Sequence, residues 1–356
     1  MRKKLVTMLL CAALGTAALT GCGGSNSANA SGSTDSSEEL LDDDEDFDDE
    51  DDLSDEDDLD DEDSDEAFDD EDDINDEDSD EEDNGGILLD DEDDTSSVPS
   101  DLSHGMTLDY PQIDTAGLDN TAIGWGMGPD RDELNRPVTA LQYQDTYKDF
   151  NVDFIVPSEE KKIYLTFDEG YENGFSESIL DTLKRHNAKG IFFVTKSYAE
   201  SRPDLVQRMI DDGHVVGNHT VHHPSDGMQA HDIDYQTNDV RELHDYIKEN
   251  FDYEMCLFRY PTGMFSKQSL AVVSNCGYRS VFWSFAYADW DRDNQPNPTE
   301  ALNKLETSLH PGAIYLLHAV SSTNDSILDE FLTYVDSQGY EVANYLETLD
   351  MEYAGN

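Results

Sequence analysis

Positive charge is what this chain lacks most. Its 356 residues hold 21 Lys and Arg against 83 Asp and Glu, a formal net charge of −62. No Lys or Arg occurs between Lys4 and Arg131. Such a surface repels a phosphate backbone, which argues against nucleic acid as a partner. The deficit is uneven: 40 of the acids fall within residues 35–94, while the chain from residue 101 onward has 43 acids and 18 bases. That second balance is acidic yet compatible with a folded domain. Cysteine is scarce as well, four residues with no CxxC pair, so a thiolate zinc site is not indicated. Long apolar runs are also missing. The most apolar stretch, residues 5–19, is too short and too rich in Ala and Gly for a stable membrane span.

What stands at the start reads as an export signal. Arg2, Lys3 and Lys4 form a basic head before the apolar stretch. The stretch ends in Leu19-Thr20-Gly21-Cys22, which resembles the lipobox of bacterial lipoproteins. That resemblance implies that Cys22 becomes the first mature residue and carries the lipids, since two or more acyl chains give stable membrane attachment. An ordinary secretory peptide with an incidental cysteine is the alternative. Residues 1–22 therefore read as a lipoprotein signal peptide, placing the mature protein on the outer face of the membrane. Residues 23–104 read as a disordered acidic linker, because Asp/Glu/Ser repeats bury too little apolar area to offset the entropy of ordering. Their mutual repulsion would stretch them into a spacer reaching toward the cell wall. A calcium-binding tail is the rival, but the acids lack the glycine-centred loop of a defined calcium site. Cys11 leaves with the signal. Cys256 and Cys276 lie in apolar contexts and are expected to be free thiols, although an exported compartment would permit one disulfide.

From about residue 105 the composition turns globular, with Trp125, Tyr143, Tyr147 and Phe150. Residues 105–157 read as a lead-in packing on the main domain, which spans 158–352. Short apolar strands are expected over 162–167, 190–194, 214–216, 255–258, 280–285 and 313–317. Helices are expected over 176–188, 203–212, 234–250, 266–275, 299–309 and 325–338. Repeated β-α units argue for a parallel sheet covered by helices. The expected fold class is α/β, a distorted (β/α) barrel of about seven strands behind a disordered acidic tail. In such barrels chemistry sits just beyond the C-terminal ends of the strands. Asp168 and Glu169, His219 and His223, Arg259, Asp289 and His318 all fall at those positions.

Residues of these types can hold a divalent cation and move protons beside it. His219 and His223 are four apart, and a helical or tight-turn backbone would turn both to one side. Imidazole nitrogen with carboxylate oxygen suits zinc and similar divalent ions. An isolated HxxxH is usually a pair of surface histidines; here the position at a strand end, opposite carboxylates, favours ligands. By spacing alone His222 competes with His223. In Thr166-Phe167-Asp168-Glu169-Gly170, one acid can ligate while the other acts as base toward a water the cation polarises, although acidic loops are common in so acidic a chain. A buried Arg259 would pair with a carboxylate and fix its orientation. His318 is either a packed core residue or an acid/base, and Asp289 is placed to hold its second ring nitrogen.

Together these motifs resemble the polysaccharide deacetylases, carbohydrate esterase family 4, over residues 161–349. The resemblance implies that Asp168 is the general base and that Glu169, His219 and His223 are metal ligands, which would settle the choice between His222 and His223. Arg259 with Pro261 and Gly263, then Asp289-Trp290, then Leu317-His318 match the family's remaining motifs, with His318 as general acid. Tyr260, Thr262 and Trp290 would line the substrate site, the Thr262 N–H helping to bind the oxyanion. A narrower resemblance is to the delta-lactam-biosynthetic de-N-acetylases of spore-cortex peptidoglycan. It rests on residues 164–174, Gly217-Asn218-His219, Val281-Phe282-Trp283-Ser284, His310-Pro311-Gly312-Ala313-Ile314 and Trp125-Gly126. That subgroup acts on N-acetylmuramic acid in glycan strands lacking the peptide.

Two departures stand out. Glu169 replaces the usual metal-binding Asp, and its extra methylene either still reaches the cation or points away and leaves a two-histidine site. Thr262 stands where many members carry an aromatic residue. The resemblance thus implies hydrolysis of an N-acetyl amide on cell-wall glycan with zinc, manganese or cobalt, and no protein partner. A deacetylase of N-acetylglucosamine or an exopolysaccharide is one alternative. A weak glycan-binding module is the other, disfavoured because binding needs neither Asp168 nor His318. A glycosidase is disfavoured too, lacking a second carboxylate clearly placed across a cleft.

Overall fold

The computed structural model describes residues 103–349. The signal peptide, Cys22 and almost all of the acidic linker lie outside the described residues. The chain enters through strand β1 (Ile123–Gly124), helix α1 (Val138–Tyr147) and strand β2 (Val152–Asp153). Then come β3 (Lys162–Glu169), α2 (Ser176–Arg185), β4 (Gly190–Val194), α3 (Lys196–Ser201), α4 (Pro203–Asp211) and β5 (Val215–Asn218). They are followed by α5 (Ile233–Phe251), β6 (Leu257–Phe258), β7 (Met264–Phe265), α6 (Lys267–Asn275) and β8 (Arg279–Val281). The last elements are α7 (Pro298–Thr307), β9 (Ala313–Leu317), α8 (Ser322–Ser337) and β10 (Glu341–Val342).

The main sheet runs β10-β3-β4-β5-β6-β8-β2, with β9 also paired to β3, and every pair in it is parallel. Beyond β8 the chain bridges back to β9 through Phe285 and Tyr315. That contact curls the sheet toward closure. The result is the distorted β/α barrel the sequence led us to expect. Strands β4 and β9 are buried at every position, as parallel strands covered by helices must be. The helices supply the cover with one apolar face each: Ile179, Leu180 and Leu183 on α2, and Leu205, Val206, Met209 and Ile210 on α4. Pro203 opens α4, and Gly213, at φ 75°, follows its end. Ser266 and Ser269 cap α6 reciprocally.

Some elements differ from expectation. Helices α1 and α3 were not foreseen, nor were the two-residue strands β1, β2, β7 and β10. The strand expected over 280–285 is a regular ladder only at Arg279–Val281. Past it the backbone changes partner: Phe282 N–H donates to Asp153, while Ser284 and Phe285 N–H both donate to Ile314. This change of partner is what turns the sheet back on itself. Helix α8 starts at Ser322 rather than Asp325, because the Ser321 hydroxyl accepts from the Asn324 N–H and caps it there.

The lead-in is bound to the barrel by side chains. The Trp125 indole N–H donates to the Trp283 carbonyl at 3.0 Å, and its ring packs 4.9 Å from Tyr143 and 4.6 Å from Phe154. Buried Asp153 on β2 pairs with Arg279 on β8 at 2.5 and 2.9 Å and also accepts from the Tyr345 hydroxyl. Cys256 is buried, Cys276 is half-buried, and both are free thiols, as expected.

Candidate active site

The parallel register brings the strand ends to one rim. Asp168 lies beside Phe193, Val194 beside Asn218, and Asn218 beside Phe258. The segments just past β3, β5, β6, β8 and β9 surround a cleft of about 770 Å³. Asp168, His219, His223 and His318 share its wall with Tyr260, Thr262 and Trp290.

Asp168 is held from behind. Arg259, with no solvent exposure, donates from Nη1 to Asp168 Oδ1 at 3.0 Å and from Nη2 to Thr166 Oγ1 at 2.8 Å. Its remaining bonds go to the carbonyls of Val281 at 2.5 Å and Phe282 at 3.3 Å. The rings of Phe193 and Trp283 lie 4.5 and 5.3 Å from the guanidinium carbon. Burial lowers the Arg259 pKa from the ordinary arginine value, and the Asp168 charge opposes that shift. One carboxylate oxygen is thus fixed by a buried cation. The other, Oδ2, lies 3.6 Å from His219 Nε2 in the cleft.

His219 Nδ1 is 2.9 Å from the Arg259 carbonyl. A carbonyl only accepts, so Nδ1 carries the proton and Nε2 presents a lone pair. Burial pushes the His219 pKa down to about 4, which keeps the ring neutral, the form that binds metals. His223 stands edge-on to it, ring centroids 4.8 Å apart. The loop between them is a tight turn, not a helix. Asn218 Oδ1 accepts from the Thr220 N–H and Thr220 Oγ1 accepts from the His223 N–H, both at 2.9 Å. Thr220 and His223 are held at φ 72° and 46°, a strained setting for a β-branched threonine. His222 also borders the cleft, but its Nδ1 lies 2.5 Å from Asp239 on α5.

Glu169 is placed differently. It is fully buried, does not border the cleft, and neither carboxylate oxygen has a hydrogen-bond partner among the described residues. Burial, with Glu172 and Asp168 adding their charges, raises its pKa well above the ordinary carboxylate value. Among the described residues no three His, Cys, Asp or Glu side chains converge as a metal cage. The donor chemistry of His219 and His223, two imidazoles side by side, fits a divalent cation. Glu169 as placed does not join them.

Across the cleft, His318 Nδ1 lies 2.8 Å from Asp289 Oδ1, and the His318 backbone N–H donates to Asp289 Oδ2 at 2.9 Å. Burial disfavours the imidazolium, but the hydrogen bond and charge of Asp289, with the charge of Asp168, prevail, and the His318 pKa is raised. Asp168 and His318 thus present a carboxylate and a protonatable imidazole to one space. The named wall residues divide. The Tyr260 ring is turned inward, stacked on Phe282 at 5.4 Å, so its side chain is core rather than binding surface. Thr262 is exposed at φ 57°, and Trp290 is 61% exposed at the rim, open to a sugar ring. Thr166 and Asn218 entered the sequence reading only as parts of motifs, and Tyr287 and Asn324 were not singled out. Their role is to hold other side chains, and hydroxyl and amide residues give no periodic signal.

The family model for polysaccharide deacetylase matches residues 156–281. The chain is 38% identical to the peptidoglycan-N-acetylmuramic acid deacetylase PdaA of Bacillus subtilis over 224 residues, 62% of this chain and 83% of PdaA. It belongs to the polysaccharide deacetylase family. The solved structure of PdaA, described as a family 4 carbohydrate esterase, superposes with a TM-score of 0.59 at 35% identity, covering 63% of this chain and 94% of that one. Another relative is the peptidoglycan-N-acetylglucosamine deacetylase PgdA of Listeria monocytogenes, 35% identical over 51% of this chain but only 37% of PgdA. As a polysaccharide deacetylase the chain is a hydrolase of non-peptide carbon–nitrogen bonds. The matched residues 156–281 carry Asp168, His219, His223 and Arg259; Asp289 and His318 lie beyond them.

Proposed function

We propose that this enzyme removes the N-acetyl group from cell-wall peptidoglycan, at N-acetylmuramic acid, with a divalent cation on His219 and His223. The observation that carries the reading is the opposition of two oriented groups in one cleft: Asp168 fixed by Arg259, and His318 fixed by Asp289. Asp168 takes the proton of the attacking water through Oδ2, the oxygen Arg259 leaves free. Arg259 holds that carboxylate in place. His318, protonated, gives its proton to the departing amine nitrogen, and acetate and a free amino sugar result. His219 and His223 would hold the cation, whose charge, when bound, would offset the negative charge developing on the acetamide oxygen. Zinc is the first choice for such donors, with manganese and cobalt next. In the sequence-based scheme Glu169 would be a third ligand. That role requires its carboxylate to turn from its buried position toward the histidines.

The choice of N-acetylmuramic acid is supported by the similarity to PdaA over most of that protein's length. N-acetylglucosamine is the second reading, supported by the likeness to PgdA. Attachment to the outer face of the membrane through lipids on Cys22 would bring the cleft to its substrate, with the acidic linker as spacer. No helix among the described residues is long and apolar enough to cross a membrane.

Acetate release by the full chain, on intact and on peptide-stripped peptidoglycan with and without chelator, tests the proposal. The expected result is chelator-sensitive release from stripped strands, with mass spectrometry locating the free amine on muramic acid. Release from glucosamine would select the second reading. No release from any wall glycan, even with added zinc or manganese, would leave a glycan-binding module.

A further inference from the structure

The pairing of His318 with Asp289 is one link in a longer chain. Asp289 is fully buried, and besides His318 its Oδ2 accepts from Asn324 Nδ2 at 2.6 Å. Asn324, in the first turn of α8, is buried too. Its Nδ2 donates a second bond, 3.1 Å, to the His318 carbonyl. An ionised carboxylate and a carbonyl can only accept, so the amide nitrogen must face them. Its oxygen is thereby turned to Tyr287, whose hydroxyl donates to it. Tyr287 borders the substrate cleft. The frame around them is tied as well. Gln295 donates to the Asp289 carbonyl at 2.8 Å and accepts from Ser321, the cap of α8, at 2.5 Å.

We propose that Tyr287 and Asn324 are positioning residues for deacetylation: Tyr287, at the cleft wall, fixes the direction of the Asn324 amide, and Asn324 aims Asp289 at His318. The proposal rests on the reading of His318 as the acid. Hydrogen bonds run without a break from a residue that borders the cleft to the group that donates the proton. The charged groups facing His318 are Asp289 from the loop after β8, Asp168 from β3 and Arg259 after β6. Asn324 is the neutral member of the set. By donating to Asp289 it draws off part of the carboxylate's charge. Without it, Asp289 would hold an imidazolium more tightly, and His318 would release its proton less readily.

The test uses the full chain with Asn324→Ala, Asn324→Asp and Tyr287→Phe, reading the His318 ring titration by NMR together with kcat and KM on peptide-stripped glycan. The His318 titration is expected to move to higher pH in both Asn324 variants and by less in Tyr287→Phe. In the Asn324 variants kcat is expected to fall about ten- to a hundredfold, with KM little changed. Asn324→Asp keeps the shape but sets an acceptor against acceptors, so it should be at least as impaired as Asn324→Ala. Folded variants whose His318 titration stays put, whether or not kcat falls, would overturn the proposal, since a merely structural role leaves that titration alone. If Asn324→Ala does not fold, Tyr287→Phe, which removes a single hydroxyl, decides. A wild-type chain that deacetylates no wall glycan would instead sink the functional reading, while the ring titration still judges the relay.

Discussion

In the proposed mechanism each of the two reacting groups, Asp168 and His318, is held by a buried partner. There Arg259 fixes one oxygen of Asp168, the base, and leaves the other facing the cleft. Asp289 stabilises the charged form of His318, as an acid requires. The role of Asp168 is open to a clean test, because Asn keeps an acceptor for Arg259 Nη1 while removing the base. Arg259 would still be held by Thr166, Val281 and Phe282, so Asp168→Asn should fold. It should also lose about a thousandfold or more in kcat. Circular dichroism and a thermal melt establish the first point and acetate release the second. A folded variant with near wild-type turnover would remove Asp168 from the mechanism.

At the scale of elements, function depends on backbone positions that only one residue type satisfies. Gly312 precedes β9 at φ 73°, and a Cβ built there would stand 1.9 Å from the Val156 carbonyl oxygen. The Val156 N–H donates to the Gly312 carbonyl, and the Gly312 N–H donates to Lys162. That junction joins the lead-in, β3 and β9, the strand that delivers His318. Gly312→Ala should therefore cost roughly 3 kcal/mol from strain and displacement together. A thermal melt should fall by roughly 6–12 °C for a domain of this size. An unchanged melt would mean the junction relaxes freely. The same distinction explains what the sequence made legible. Apolar runs such as 190–194 and 313–317 announce strands, and amphipathic spacing announces α2 and α4, because one periodic face must be buried. Asp168, His219, His223, Arg259 and His318 could be picked out because polar residues at or just past the end of each run fall on one rim of the sheet. Helix α1 escaped because its face is weakly apolar and its key side chain is Gln144, which holds the Val152 carbonyl and the Phe154 N–H. The two-residue strands carry no period at all. The placement of Glu169 was not legible either: neighbours on a strand look alike in sequence, and only the fold puts one in the cleft and the next in the interior.

For the molecule as a whole, acidity and histidine burial pull on stability in separable pH ranges. His214 and His310 are buried neutral, each pushed by burial down to about 4. His310 is held in that form, Nδ1 2.7 Å from the Ser308 carbonyl and Nε2 3.0 Å from the Ser284 hydroxyl. His219 is depressed in the same way. Above the ordinary histidine value of about 6.5 neither the folded nor the unfolded chain protonates these rings, and nothing is lost. As pH falls below it, the unfolded chain binds protons that the folded rings refuse, so stability declines until about pH 4, where the folded rings protonate too. Each ring can contribute up to about 3 kcal/mol over that span. His318 works the other way, because its raised pKa makes the folded state the better proton acceptor. Three depressed rings stand against one raised ring and one raised carboxyl, that of Glu169. Carboxylates, whose protonation would relieve the repulsion among the domain's many acids, titrate mainly below about pH 5. Between about pH 6.5 and 5 the depressed histidines are therefore opposed by His318 and by buried Glu169, whose raised pKa also makes the folded state the better proton acceptor. Urea unfolding in high salt, which screens the acid–acid repulsion, should show stability falling across that window. His310→Gln, which keeps a polar side chain but cannot charge, should make the fall shallower. Stability that rises as pH drops from 6.5 to 5 would show that relief of acidic repulsion, rather than histidine burial, governs this fold.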